Sequence, residues 1–286
     1  MHNTVFMRFP GGLAKALTLS YDDGVTEDIR LIEIMKRHGL KGTFNLNSLP
    51  MIQAEETRKN PKPWANRLTV AEAKALYSQE GIEPAVHAYT HPFLQNLPPH
   101  TVAQEIIDDR KFLEELFGRP IRGMAYPFGT YSDNVVEVLE NCGIAYSRTV
   151  TSTERFDLPT DWLRMPATCH HKNPRLMELA DQFLEKKYGA EGQPSLFYLW
   201  GHSYEFAQHD NWRVIEDFAA KMGGKEDIWY ATNIEIYDYV RAFQSLSFTV
   251  GMTRVENPTA KTVWFNLQGK CYSVAPGELI VLGDNT

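Results

Sequence analysis

The octapeptide Leu17-Thr18-Leu19-Ser20-Tyr21-Asp22-Asp23-Gly24 constrains this chain more than any other stretch. An apolar run ends in two adjacent carboxylates and a glycine, and a helical pattern follows at once. That order describes a β-strand whose C-terminal tip carries chemistry. Neighbouring strand residues face opposite ways, so two consecutive Asp side chains diverge unless the backbone turns. Gly24 permits the turn. One carboxylate can then grip a metal while its neighbour faces a reacting molecule. Asp-Gly is also ordinary turn chemistry, so the octapeptide alone leaves a solvated turn open.

The same grammar recurs downstream. An amphipathic helix over 27–38 carries Ile29, Ile32, Ile34 and Met35, with Gly39 as its C-cap. A second strand is predicted over 42–47. Residues 50–67, with Pro61 and Pro63 among charges, read as a loop over the mouth. Thr69 caps a helix, with Glu72 in capping-box position. A third strand over 82–86 ends in His87-Ala88-Tyr89-Thr90-His91-Pro92, and a fourth over 121–126 ends in Pro127-Phe128-Gly129. A fifth spans 144–147. Residues 149–174 read as irregular, followed by a helix over 175–188. A sixth strand over 195–200 leads into Gly201-His202, and a seventh spans 228–231. Helices separate most of these strands.

This alternation predicts an α/β fold with a parallel sheet, and its regularity predicts a barrel. Six or seven strands fall short of a closed eight-fold barrel, so an incomplete or distorted one fits better. Asp22, Asp23, His87, His91, Phe128 and His202 then share one mouth, because strand C-termini do. From residue 245 the pattern turns β-rich, punctuated by Pro258, Gly269, Pro276 and Gly277. Residues 1–244 are therefore assigned to the barrel and 245–286 to a small C-terminal β-rich appendage.

Composition excludes some classes. The net charge is -7, from 29 basic and 36 acidic residues, with no basic cluster, so no nucleic-acid partner is expected. Cys142, Cys169 and Cys271 are odd in number and lack metal-ligand spacing. They read as reduced thiols, and with an N-terminus unlike a signal peptide they point to the cytoplasm. No run of about 18 apolar residues exists, so no membrane span is expected.

His87-x-x-x-His91 presents two imidazoles on one helix face or in a short loop at a strand tip. With Asp23 they form a two-histidine, one-carboxylate metal set that leaves positions open for water and substrate. A zinc-type ion there would polarise a carbonyl and acidify a bound water. Asp22 is then the candidate general base and His202 the candidate general acid for a leaving amine. The N–H of Phe128, after Pro127, is a candidate oxyanion donor. The set describes metal-assisted hydrolysis of an amide or ester.

Here the residues resemble the polysaccharide deacetylases of the NodB-homology type, a carbohydrate esterase family. Ser20-Tyr21-Asp22-Asp23-Gly24 is similar to its first motif and His87-Ala88-Tyr89-Thr90-His91 to its second. Pro127-Phe128-Gly129 resembles the end of the third, and Leu199-Trp200-Gly201-His202 the fifth. Lys41-Gly42-Thr43-Phe44 and Glu83 are smaller echoes. The resemblance spans about residues 15–244. It implies a distorted (β/α)7 barrel, a divalent metal (often zinc) on Asp23, His87 and His91, and deacetylation of an N-acetylated sugar or oligosaccharide.

Two positions depart from the family pattern. Where its third motif carries an Arg that steadies the base, this chain has Ala125. Arg148 or Arg164 is the candidate substitute. Ala88 replaces a small hydroxyl residue. Tyr126, Phe128, Arg148, Arg164 and Trp200 are expected around the substrate, with Trp162 as a further stacking surface. The adjacent His170 and His171 read as loop or substrate-contact residues. Two other readings stay open: an amidohydrolase acting on a non-sugar amide or ureide, and a retired barrel that binds carbohydrate without turnover. The oligomeric state is not set by any of these features.

Overall fold

A computed structural model of the chain describes residues 4–59, 66–187 and 192–283. In chain order its strands are β1 (Val5–Arg8), β2 (Lys15–Asp22), β3 (Gly42–Leu46), β4 (Ile82–Val86), β5 (Gly123–Ala125), β6 (Tyr146–Ser152), β7 (Met165–Ala167), β8 (Cys169–His170), β9 (Ser195–Gly201), β10 (Ile228–Tyr230), β11 (Ser247–Phe248), β12 (Arg254–Glu256), β13 (Val263–Leu267), β14 (Lys270–Val274) and β15 (Leu279–Val281).

Every residue of β2 is buried. Leu17, Leu19 and Tyr21 alternate with Thr18 and Ser20, but the polar face is also buried, and its hydroxyls are satisfied there by Asn233 Oδ1 (3.0 Å from Thr18 Oγ1) and Asn45 Nδ2 (2.9 Å from Ser20 Oγ). β2 lies parallel between β3 and β9. From β3 the sheet continues through β4, β5 and β6 to β7. β7 pairs with β6, β8 pairs with β9, and only Thr168 stands between β7 and β8. Thr168 bridges to β9 by its own N–H on the Tyr198 carbonyl (2.9 Å) and its hydroxyl on the Tyr198 N–H (3.0 Å). Residues 165–170 thus act as one stave that closes the barrel. The staves are β2, β3, β4, β5, β6, the β7–β8 run and β9, which is the distorted (β/α)7 arrangement. The strand expected as the seventh, β10, instead flanks only the lower half of β2, with Ile228 opposite Lys15 and Tyr230 opposite Leu17.

Residues 149–174 are therefore not irregular throughout. They hold the closing stave, which is hard to read because each piece is two or three residues long and interrupted by Pro166. The segment 50–67 is likewise not a plain loop. It begins with the helices Ser48–Ile52 and Ala54–Lys59. Pro50 lies in the first turn of a helix, where no backbone N–H is needed for an intrahelical bond. Pro61, Pro63 and Tyr188 lie outside the described residues. In the helix Asp28–Arg37 the buried face is Leu31, Ile32, Ile34 and Met35, while Ile29 is 43% exposed.

At the N-terminal end of the barrel, Glu83 is buried and accepts hydrogen bonds from Thr43 Oγ1 (2.8 Å), Tyr146 OH (2.6 Å) and Ile234 N (2.9 Å). It ties three elements together far from the mouth, a structural use of that residue. β1, β13 and β14 form one small antiparallel sheet, and β11, β12 and β15 another. They enclose Val255, Phe265, Leu267, Val274 and Leu282. The start of the chain thus supplies one strand beside the C-terminal appendage. Cys142, Cys169 and Cys271 are unpaired. Among the described residues no helix is long and apolar enough to cross a membrane.

Gly201 ends β9 against the buried His171 ring, and a Cβ there would overlap that ring. Gly201→Ala is expected to lower stability by about 1–3 kcal/mol, read from the urea midpoint at unchanged slope.

Candidate active site

Asp22 occupies the last position of β2, and its side chain is 4% exposed. Asn45, opposite it on β3, donates from Nδ2 to Oδ1 at 2.8 Å. Arg148 donates from Nη2 to Oδ2, and its side chain is fully buried. Burial alone would raise the Asp22 carboxyl. The Arg148 guanidinium, with His87 and His202 nearby, overrides that and holds it far below the usual carboxylate range. Asp22 is therefore a fixed anion.

The origin of Arg148 explains Ala125. In the β5–β6 register, Ala125 lies directly opposite Arg148. Paired residues on neighbouring strands project to the same face, so the guanidinium enters the barrel from one strand over, at the same height. The register between β6 and β7 shifts just after Arg148, and such bulges re-aim side chains at barrel rims. Trp200 lies 4.4 Å from the guanidinium, ring to cation. Arg164 is elsewhere, paired with Asp161 (2.7 Å) and Asp133 (2.6 Å).

Asp23 diverges from Asp22 because its backbone leaves the extended region. Its φ is 86°, and Gly24 follows at 63°. A non-glycine residue held there is strained. The conformation is fixed by Asp23 N on the Asn45 carbonyl (2.9 Å). His91 Nε2 lies 3.7 Å from Asp23 Oδ1. His87 donates from Nδ1 to the Ala125 carbonyl at 2.7 Å, because a carbonyl can only accept, and this leaves Nε2 with a lone pair at the mouth. Burial lowers the His87 imidazole and lowers His91 to about 4, so both are neutral near pH 7, the form in which an imidazole can bind a metal.

The turn carrying the two histidines has positive φ at Ala88 (62°) and His91 (59°). Asn47 secures it from Nδ2 to the His87 and Ala88 carbonyls. Buried Asp109 accepts from His87 N (3.0 Å) and Ser48 N (2.9 Å). One donor atom from each of Asp23, His87 and His91 lies within 4.8 Å of the others. Two imidazoles and one carboxylate at these separations suit zinc, whose ligands sit about 2.0–2.2 Å from the ion.

His202 follows β9, with Nε2 3.8 Å from Asp22 Oδ2 and Nδ1 3.7 Å from Glu205 Oε2. Burial pulls its imidazolium down, but Glu205, Asp22 and Asp23 push it back above the ordinary value of 6.5. Glu205 is itself braced. His170 Nε2 (3.2 Å) and His171 Nε2 (3.0 Å) face Oε2, and Lys172 Nζ lies 2.6 Å from Oε1. Burial would raise the Glu205 carboxyl, and these neighbours hold it well below its usual range. His170, His171 and Glu205 also have the spacing of a metal set. The Lys172 N–H donates to His170 Nδ1 (3.1 Å), so a neutral His170 carries its proton on Nε2, toward Glu205. With Lys172 already on the carboxylate, the group works as a braced anion beside His202.

The remaining expected contacts divide. Phe128 is half exposed, has φ 57°, and packs its ring 4.4 Å from His91. Tyr126 is buried in the wall, with its hydroxyl on the Leu163 carbonyl (2.7 Å). Trp200 is buried beneath Arg148, not open for stacking, and Trp162 packs edge-on against Tyr237. Sequence reasoning left out Asn45, Asn47, Arg67 and Asp109, and gave Glu205 only a place beside the mouth with no role. Only Glu205, three residues after His202, had a local signal.

Residues 11–147 match the family model described as polysaccharide deacetylase. Over this stretch, just under half of its length, the chain is similar to that family. The match takes in Asp22, Asp23, His87, His91 and Phe128, while Arg148, His202 and Glu205 lie beyond it. The Bacillus subtilis (strain 168) protein "Putative polysaccharide deacetylase YxkH" is 26% identical over 130 residues, 45% of this chain and 42% of the relative. The chain thus matches less than half the length of that relative. A Mycobacterium smegmatis protein of known crystal structure, named a "putative polysaccharide deacetylase", superposes with a TM-score of 0.55 at 15% identity, over 85% of this chain and 96% of that one. That likeness shows a shared fold.

Arg148→Met leaves Asp22 buried without its cation. We expect a stability loss of about 3–5 kcal/mol near neutral pH. Asp22 also protonates at higher pH in the variant. The pairing contributes stability above the unfolded carboxylate pKa and loses it as pH falls, so the penalty shrinks in acid. Urea titrations across a pH series measure both.

Proposed function

We propose that the chain is a metal-dependent hydrolase that removes acetyl groups from an N-acetylated sugar or oligosaccharide. One observation carries the reading: two adjacent carboxylates at one barrel mouth have been given unlike surroundings. Asp22 faces His87 and His202 under Arg148, whereas Asp23 turns toward His91. Paired acids with separated environments are how one site divides metal binding from proton transfer.

In this reading Asp23, His87 and His91 hold a divalent ion, with zinc the best match to the donor set. When bound, the ion supplies Lewis acidity and lowers the pKa of water. Asp22 accepts the proton of the attacking water. Its pairing with Arg148 makes it a weak base, but keeps it charged and oriented by two hydrogen bonds. The water oxygen bonds to the acetyl carbon, and the carbon–nitrogen bond breaks. His202, held protonated by Glu205, donates to the departing amine. Acetate and the free amino sugar result. The Phe128 N–H is the proposed donor to the developing oxyanion, a role supported by its left-handed turn beside His91. A cytoplasmic setting belongs to the same proposal, on the three unpaired cysteines.

The deciding assay is acetate release from N-acetylglucosamine oligomers, run beside metal analysis. Asp22→Asn should keep its metal and lose about a thousandfold in kcat. Retention of full rate would remove Asp22 from the mechanism. Acetate release only from non-sugar amides would move the chain to the amidohydrolase reading.

Glu205→Gln removes the charge that keeps His202 protonated. Protonated His202 is the active form, so the alkaline limb of kcat/KM should move to lower pH in the variant. An unmoved limb would show that Glu205 only supports the loop.

A further inference from the structure

Each of the two adjacent aspartates already has its own guanidinium: Asp22 has Arg148, and Asp23 has Arg67. Arg67 arrives on a short extended segment. Thr26 N donates to the Asn66 carbonyl (2.7 Å), Leu68 N donates to the Gly24 carbonyl (2.9 Å), and Val25 and Arg67 form a bridge between them. The guanidinium then grips Asp23 twice, from Nη1 to the backbone carbonyl and from Nη2 to Oδ1 at 3.0 Å. Oδ1 is also the oxygen 3.7 Å from His91 Nε2, on the side where the donor atoms converge. Asp23 does not need Arg67 to hold its shape, because its N–H is fixed on Asn45 and Leu68 secures the following glycine through the backbone.

We infer that Arg67 is a built-in counter-charge that loosens the grip of Asp23, His87 and His91 on their divalent ion. The inference rests on the metal-site reading above. A carboxylate shared between a guanidinium and an ion donates less to the ion. A fixed positive charge a few ångströms away in a partly buried site also repels it. Two aspartates against two arginines balance the centre by the chain's own residues. Folding therefore does not require the ion, and the ion exchanges with its surroundings.

The test is the dissociation constant for zinc and cobalt, from chelator competition on the full chain. It compares the unaltered protein with Arg67→Gln, Arg67→Lys and His87→Ala. Arg67→Gln removes the charge and should bind the ion at least about tenfold tighter, the scale on which groups behind metal ligands act. The ion should also raise its melting temperature by more than it raises that of the unaltered protein. Arg67→Lys keeps the charge but cannot reproduce the two-armed grip, and should stay within about threefold of the unaltered protein. Unchanged or weaker binding in Arg67→Gln overturns the inference, because Arg67 would then only orient Asp23. Should Arg67→Gln fail to fold, Arg67→Lys still decides: about tenfold weaker binding makes the grip, not the charge, the working feature. Failure of the metal-site reading looks different, since His87→Ala would then bind the ion as tightly as the unaltered protein.

Discussion

The buried pair between Arg148 and Asp22 is the constraint around which the mouth is built. A fully buried guanidinium is costly unless a carboxylate faces it and its other surroundings are favourable. Asp22 supplies the charge and Trp200 the ring beneath it. The pair links β2 to β6, staves that are not neighbours in the sheet, so it spans the barrel interior. Their registers, and the irregularity after Arg148, have to agree for the two groups to meet. Trp200 is consequently a wall of the site, and the residue order Trp200-Gly201-His202 brings the third histidine over the same carboxylate.

Around that pair the three acids of the mouth are separated by surroundings, not by residue type. Asp22 is neutralised by Arg148 and faces two histidines. Asp23 is turned away by a left-handed backbone and neutralised by Arg67. Glu205 is paired with Lys172, braced by two imidazoles, and directs its charge at His202. A single stretch of mouth thus holds three anions that differ in what they can do. In the proposed function one serves proton transfer, one a metal, and one holds a neighbouring acid in its charged form. Each cation comes from a different loop or strand, which is why the arrangement appears only once the barrel closes.

The legible parts of the site were those carried by local order. An apolar strand ending in Asp22-Asp23-Gly24, or His87 and His91 after a buried strand, has its meaning within about eight residues. The barrel class was legible for the same reason, since strand and helix patterns alternate along the chain. The closing stave at 165–170 was not, because two short strands separated by Thr168 have no periodicity of their own. Their assignment depends on partners 17 residues before them, at Arg148, and 30 after them, at Leu199. The choice between Arg148 and Arg164 was also beyond pattern reading. Neither sits in a motif of its own, Arg148 following Ser147 and Arg164 following Leu163, and the pairing of Ala125 with Arg148 separates them.

The sequence by itself determined the strand-tip chemistry, the α/β class and the order in which Asp22, Asp23, His87, His91, Phe128 and His202 enter the mouth. Turns and strand ends are local, and local residues specify them. Tertiary structure decided which cations neutralise those carboxylates, that Trp200 is covered, and that Glu205 stands behind His202. Those outcomes are electrostatic and depend on distances of a few ångströms between residues as far apart as Asp22 and Arg148. A charge acts through space, and only the closed barrel sets which charges are near.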